Sequence, residues 1–179
     1  MPAIVRTVDT INDAHALTVL ATANADHTSF NPYADEAVLV SPTMAVWLLE
    51  AFDFPYRHCQ PSSVSANCNI PLIAWLGRGL DVGDQAAAAR GYALLSHFIR
   101  RGEQLNDLAD DGLAPIHEAI LYRNARYLRV LLEAGADPSV RIDQPQRPAD
   151  GLDAGQFLEL LDSQKVADFS QVRAVLDQY

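Results

Sequence analysis

Histidine and cysteine are the residues of this sequence with the widest chemical range, and three of them lie close together along the chain. His58, Cys59 and Cys68 are the kinds of residue that bind Zn²⁺. Their spacing matches no zinc pattern, and no fourth ligand is apparent. Cys59 or Cys68 could also be paired with His97 as nucleophile and base, but no flanking motif supports that pairing. We therefore expect neither a metal site nor a catalytic pair.

Carboxylates and glycine-rich loops give no stronger indication of catalysis. Asp110 and Asp111 form an acidic pair at a predicted turn, where aspartate is favoured because its side chain bonds to the nearby backbone. We expect both to be solvated loop residues. The sequence contains no G-x-G-x-x-G, no G-x-x-x-x-G-K-[ST] and no H-E-x-x-H motif. No enzymatic activity and no cofactor are expected.

Composition and charge restrict the classes of partner. The chain has 179 residues, of which 49% are hydrophobic and 20% charged, as is typical of a globular protein. Its net charge is -10, which disfavours nucleic acid and anionic membranes because phosphate groups would be repelled. The same charge would attract a basic protein, although acidity can also simply keep a protein soluble.

Targeting signals are not evident in the sequence. Residues 1–10 contain no basic region followed by an apolar run, so we predict no signal peptide. The most apolar stretch, residues 37–49, is interrupted by Ser41-Pro42 and is too short to span a bilayer. The two cysteines do not make a disulfide framework. A cytoplasmic location is expected.

The clearest pattern is a pair of helix signatures in residues 111–138. The first, D-G-L-A-P-I-H-E-A, contains Pro115, which suits a first helical turn. The second, Y-L-R-V-L-L-E-A-G-A-D-P, ends at Gly135, which can adopt the left-handed conformation that terminates a helix. Together they resemble the ankyrin repeat, whose first helix opens with T-P-L-H-x-A and whose period is about 33 residues. Ala114 replaces the usual threonine.

Related positions recur on both sides of this unit. When the sequence is aligned with itself at a shift of 33 residues, Gly102 aligns with Gly135. The same shift in the forward direction aligns Pro115 with Pro148, which belongs to a more degenerate unit. Ile70-Pro71 looks like another first-helix start without its histidine. Since Pro71 lies 44 residues before Pro115, about 11 extra residues are expected near residues 78–88.

The resemblance implies an all-α ankyrin-type solenoid of about three to five stacked units with irregular terminal caps. We predict a single domain over residues 1–179 whose best-matched repeats are 66–111 and 112–144. An irregular N-terminal helical part (1–65) and a degenerate C-terminal cap (145–179) flank these repeats. Helices are also expected at residues 10–22 and after Ser41-Pro42. The connection 53–69 is either padding between divergent repeats or a binding loop.

The resemblance also implies a surface for a partner. Ankyrin proteins generally bind through a concave side made of finger-like turns and the exposed face of each first helix. The signature histidine, here His117, has a structural role in the family. Tyr122 is the best single anchor, because aromatic side chains dominate interface hot spots. The residues at the family's binding positions are Leu108, Asp110, Glu118, Leu121, Tyr122, Arg141 and Asp143.

Several functions stay open at this point. The first is a non-catalytic module that binds a protein through the concave face. The second is a small acidic inhibitor or immunity-type protein that neutralises a basic enzyme or toxin, for which complementary charge would speed association. The third is self-association through Trp47, Phe52 and Phe54, although a monomer is favoured. An enzyme is the fourth and least favoured.

Overall fold

A computed structural model describes residues 14–24, 41–52 and 70–179 of the chain. Within these ranges the regular secondary structure is helical and includes no strand. The predicted all-α class is therefore confirmed for the described residues. The helices are α1 (Ala14–Ala21), α2 (Pro42–Ala51), α3 (Leu72–Gly79), α4 (Gln85–Arg101), α5 (Pro115–Leu121), α6 (Ala125–Glu133), α7 (Ala154–Ser163) and α8 (Ser170–Leu176).

Side-chain caps explain where several helices begin. The hydroxyl of Ser41 accepts a hydrogen bond from the backbone N–H of Met44 at 3.2 Å, and Pro42 occupies the first turn of α2. The predicted start at Ser41-Pro42 is confirmed. Before α4, Oδ1 of Asp84 accepts a hydrogen bond from the N–H of Ala87 at 2.7 Å. Each cap satisfies a backbone donor that lacks a partner within the helix.

The region near residues 78–88, where extra residues are expected, contains a short connection between two helices. Helix α3 ends at Gly79 and α4 begins at Gln85, so only residues 80–84 connect them. Helix α4 has 17 residues, whereas α6 has 9. The prediction placed the insertion before the alanine run 86–89. In the structure the alanine run is itself part of α4, as the high helix propensity of alanine favours. The insertion itself stays a prediction.

The described residues belong to two compact units. The first extends over Met1–Cys68 and Gly79–Arg101, and its described part contains α1, α2 and α4. The second comprises Asn69–Arg78 and Gly102–Tyr179, and it contains α5 to α8 and nearly all of α3. The single-domain organisation stays a prediction.

In the first unit α1, α2 and α4 contact one another. The guanidinium of Arg90 in α4 donates from Nε to the carbonyl oxygen of Ala21 at 2.8 Å and from Nη2 to that of Ala23. These carbonyls lie at and just after the C-terminal end of α1, where intrahelical donors are missing. Arg90 therefore ties α4 to the end of α1.

In the second unit the four C-terminal helices form two rows. Helix α5 contacts α6 and α7, and α6 also contacts α8. Successive helices along the chain therefore belong alternately to two rows. One row is formed by α5 and α7, and the other by α6 and α8. The side chains that these helices bury include Ile116, Ile120, Tyr127, Leu131, Phe157 and Val172.

Gly135 ends α6 as the sequence predicts. Its φ is +95°, in the left-handed region that favours glycine. The N–H of Gly135 donates to the carbonyl of Leu132 at 3.0 Å, and the N–H of Ala136 donates to that of Leu131 at 2.9 Å. This pair of bonds is the Schellman motif, which satisfies carbonyls left open at a helix end.

The second unit contains two long turn segments. We call residues 102–114, which precede α5, the first finger and residues 134–153, which lie between α6 and α7, the second finger. The N–H of Asp143 in the second finger donates to the carbonyl of Gly112 in the first at 3.0 Å. Gly112 has a φ of +75°, and a Cβ built there would lie 1.8 Å from the carbonyl oxygen of Asp143. The close approach of the two fingers therefore requires glycine at position 112.

Helix α3 approaches α6 at another glycine. A Cβ on Gly77 would lie 2.4 Å from the ring of Tyr127, which is fully buried. The hydroxyl of Tyr127 donates a hydrogen bond to the carbonyl of Ile73 at 3.0 Å. Because Gly77 has no side chain, the ring of Tyr127 can pack directly against the α3 backbone.

Candidate partner-binding surface

His117 lies in the first turn of α5 and is fully buried. Its Nδ1 accepts a hydrogen bond from the backbone N–H of Ala114 at 3.2 Å, so the neutral ring carries its proton on Nε2. Burial lowers the pKa of His117 to about 4, against the opposing effects of the Val140 backbone and of Asp153. The ring packs edge-on against Phe157, with centroids 5.9 Å apart. This geometry fits a helix-capping, structural role.

Glu118 is also buried, with an exposed fraction of 1%, whereas the sequence led us to expect a surface position. Its Oε1 accepts hydrogen bonds from both Nε (2.8 Å) and Nη2 of Arg78 in α3. Its Oε2 is buried and accepts no hydrogen bond from any described residue. Burial raises the pKa of Glu118 to about 7, even though the Arg78 guanidinium lowers it. Glu118 is therefore an internal ion-pair partner rather than a surface contact.

Asp111 joins this pair to the first finger. Its Oδ2 accepts a hydrogen bond from Nη2 of Arg78 at 2.9 Å, and its Oδ1 accepts one from the backbone N–H of Leu113 at 3.2 Å. The side chain of Asp111 is 46% exposed, and that of Arg78 is 26% exposed. Arg78 is therefore shared between a buried and a half-exposed carboxylate. We call Arg78, Asp111 and Glu118 the shared-arginine cluster.

The apolar residues predicted for the site are exposed. Leu108 on the first finger is 36% exposed, Leu121 at the end of α5 is 39% exposed, and Tyr122 directly after it is 52% exposed. Tyr122 also lies close enough to Arg78 to act on its pKa. Asp110 is exposed beside Asp111. These positions are accessible to a partner, as the prediction requires.

The second finger carries the last two predicted residues. Arg141 and Asp143 are both exposed. The guanidinium of Arg141 donates from Nη1 to the carbonyl of Gly151 at 2.8 Å, which fixes the side chain along its own finger. Asp143 contributes its backbone to the contact with Gly112, while its carboxylate stays at the surface.

The first finger contains several acidic residues and no basic residue. Residues 102–114 contain no lysine or arginine, and their acidic residues are Glu103, Asp107, Asp110 and Asp111. The second finger mixes both signs, since Arg141 and Arg147 accompany its aspartates. By its residue charges the first finger should therefore attract a positively charged group more strongly than the second finger.

The alternative chemical groups contribute no site in the described part of the chain. His58, Cys59 and Cys68 lie outside the described residues. His97 has a buried Nε2 without a hydrogen-bond partner among the described residues, and its ring lies edge-on to Phe98. No cluster of three or more metal-ligating side chains occurs within residues 14–24, 41–52 and 70–179.

The aromatic pair considered for self-association lies in the first unit. Trp47 and Phe52 meet edge to face with ring centroids 5.7 Å apart, and they are 50% and 44% exposed. Phe54 lies outside the described residues.

Arg78 was not singled out from the sequence, and Asp111 was interpreted only as a solvated loop residue. One signal was available: Glu118 follows the buried histidine directly, on a short helix that is otherwise apolar up to Leu121. A carboxylate in such a position needs a cation, and Arg78 is the only charged residue between Asn69 and Gly79. The separation of 40 residues between the two partners concealed the pairing.

The regular structure of the described residues is thus helical, and the second unit carries two fingers, the first of which is acidic. In comparisons with protein-family models, curated proteins and solved structures, no match to this chain was found. Among the described helices, none has both the length and the apolar character needed to cross a membrane.

Proposed function

We propose that this chain is an ankyrin-type repeat protein that binds another protein without catalysing a reaction. The binding site in this proposal, which we call the finger surface, consists of Leu108, Asp110, Leu121, Tyr122, Arg141 and Asp143. Glu118 is no longer included as a direct contact, because it is buried against Arg78. A cytoplasmic location, suggested by cysteine content, is part of the proposal.

The arrangement of the second unit supports a repeat architecture. Helices α5 and α6 contact each other, and each contacts the corresponding helix of the following pair, α7 or α8. Stacking of this kind buries apolar faces that one helix pair leaves exposed. The buried capping role of His117 and the left-handed Gly135 fit the signature positions of the family.

The observation that carries the binding function is the exposure of large apolar side chains on an acidic surface. Tyr122 and Leu121 lie at the end of α5 and are 52% and 39% exposed. Tyr122 lies near Arg78, which bonds to Asp111 of the first finger. An exposed tyrosine with a charged neighbour combines a large contact area with a polar group, and tyrosine is enriched among interface hot spots.

A second candidate is an inhibitor of a basic enzyme or toxin. The excess of acidic residues in the first finger and the net charge of -10 favour it. Such a complex would form quickly at low salt and weaken as salt screens the charges. As an inhibitor the protein would use the same finger surface as a general binding module. It would differ in binding one basic partner with high affinity.

The test compares two triple variants in a pull-down from the lysate of the source organism. The first carries Leu108→Ala, Asp110→Ala and Tyr122→Ala on the finger surface. The matched control carries Val166→Ala, Glu159→Ala and Tyr179→Ala, which remove the same kinds of side chain from exposed positions elsewhere in the second unit. Circular dichroism verifies that both variants are folded.

We expect a partner that binds the wild type and the control but is lost with the finger variant. A basic partner whose binding weakens strongly with salt would identify the inhibitor. Equal retention by all three proteins would contradict the finger surface as the binding site.

A further inference from the structure

We draw no further inference here: the strongest candidate, the exposed aromatic patch that Trp47 and Phe52 form at the C-terminal end of α2 in the first unit, carries none because nothing in the structure shows what covers it.

Discussion

Glu118 and His117 are neighbouring buried residues whose pKa values are shifted in opposite directions by the same cause. Burial disfavours the charged form of each, so the pKa of Glu118 rises to about 7 and that of His117 falls to about 4. Ordinary values for these groups are 4.5 and 6.5. Between these limits both side chains are largely neutral in the folded protein, although both would be charged in the unfolded chain.

These shifts have opposite effects on stability. Between about pH 4.5 and 7 the folded state holds a proton on Glu118 that the unfolded state has lost, so this residue makes stability fall as the pH rises. Over much of the same range the unfolded state holds a proton on His117 that the folded state lacks, so that residue makes stability rise. The two contributions largely cancel in the wild type.

Glu118→Gln should reveal this cancellation. Of these two contributions, the variant keeps only that of His117. The free energy of unfolding of the variant minus that of the wild type should therefore increase by about 2 kcal/mol as the pH rises from 4.5 to 7. Urea unfolding of both proteins at several pH values in this range measures the difference. A difference that does not change with pH would contradict the raised pKa of Glu118.

Gly112→Ala should destabilise the second unit through two effects. The residue has a φ of +75°, and the new Cβ would lie 1.8 Å from the backbone oxygen of Asp143. Gly102→Ala is the matched control, since Gly102 has a φ of +85° but no atom within 4 Å of a Cβ. We expect the control to cost about 1 kcal/mol from its backbone conformation and Gly112→Ala to cost about 2 kcal/mol more.

Chemical denaturation of the two alanine variants measures both losses in the free energy of unfolding. Equal losses of stability would mean that the fingers do not meet at Gly112.

At the scale of the helices, the sequence predicts what short-range patterns determine. The start of α2 at Ser41-Pro42 and the end of α6 at Gly135 were predicted, because caps and left-handed glycines act within a few residues. The start and the length of α4 were not, since an alanine run after a glycine-rich turn can belong to a loop or to a helix. Long-range packing decides between them.

The contact between α3 and α6 gives a prediction at this scale. Gly77→Ala should destabilise the protein by about 1–3 kcal/mol, because the new Cβ would collide with the buried ring of Tyr127. Gly79→Ala in the same helix should be neutral or stabilising, since its nearest neighbour would be 3.8 Å away and alanine favours helix.

Thermal unfolding of the two variants provides the comparison. If both substitutions lowered the melting temperature equally, Tyr127 would not occupy the groove above Gly77.

At the scale of the whole molecule, composition indicated an acidic protein, and the structure locates much of that charge. The first finger carries acidic residues and no basic ones, and Leu121 and Tyr122 are exposed at the end of α5. The sequence placed Glu118 on this surface because it follows a signature histidine. It could not show that Arg78, 40 residues earlier, removes Glu118 from the surface. Position within a repeat predicts which face a residue occupies but not its partner from another helix.

The central claim is that a partner protein contacts the surface formed by the fingers and α5. Site-specific photo-crosslinking tests it most directly, with a benzoylphenylalanine residue placed in turn at the exposed positions Tyr122 and Tyr179. The account predicts a crosslink to one protein from position 122 and none to that protein from position 179. A crosslink to that protein from position 179 alone, or equally from both, would contradict the account.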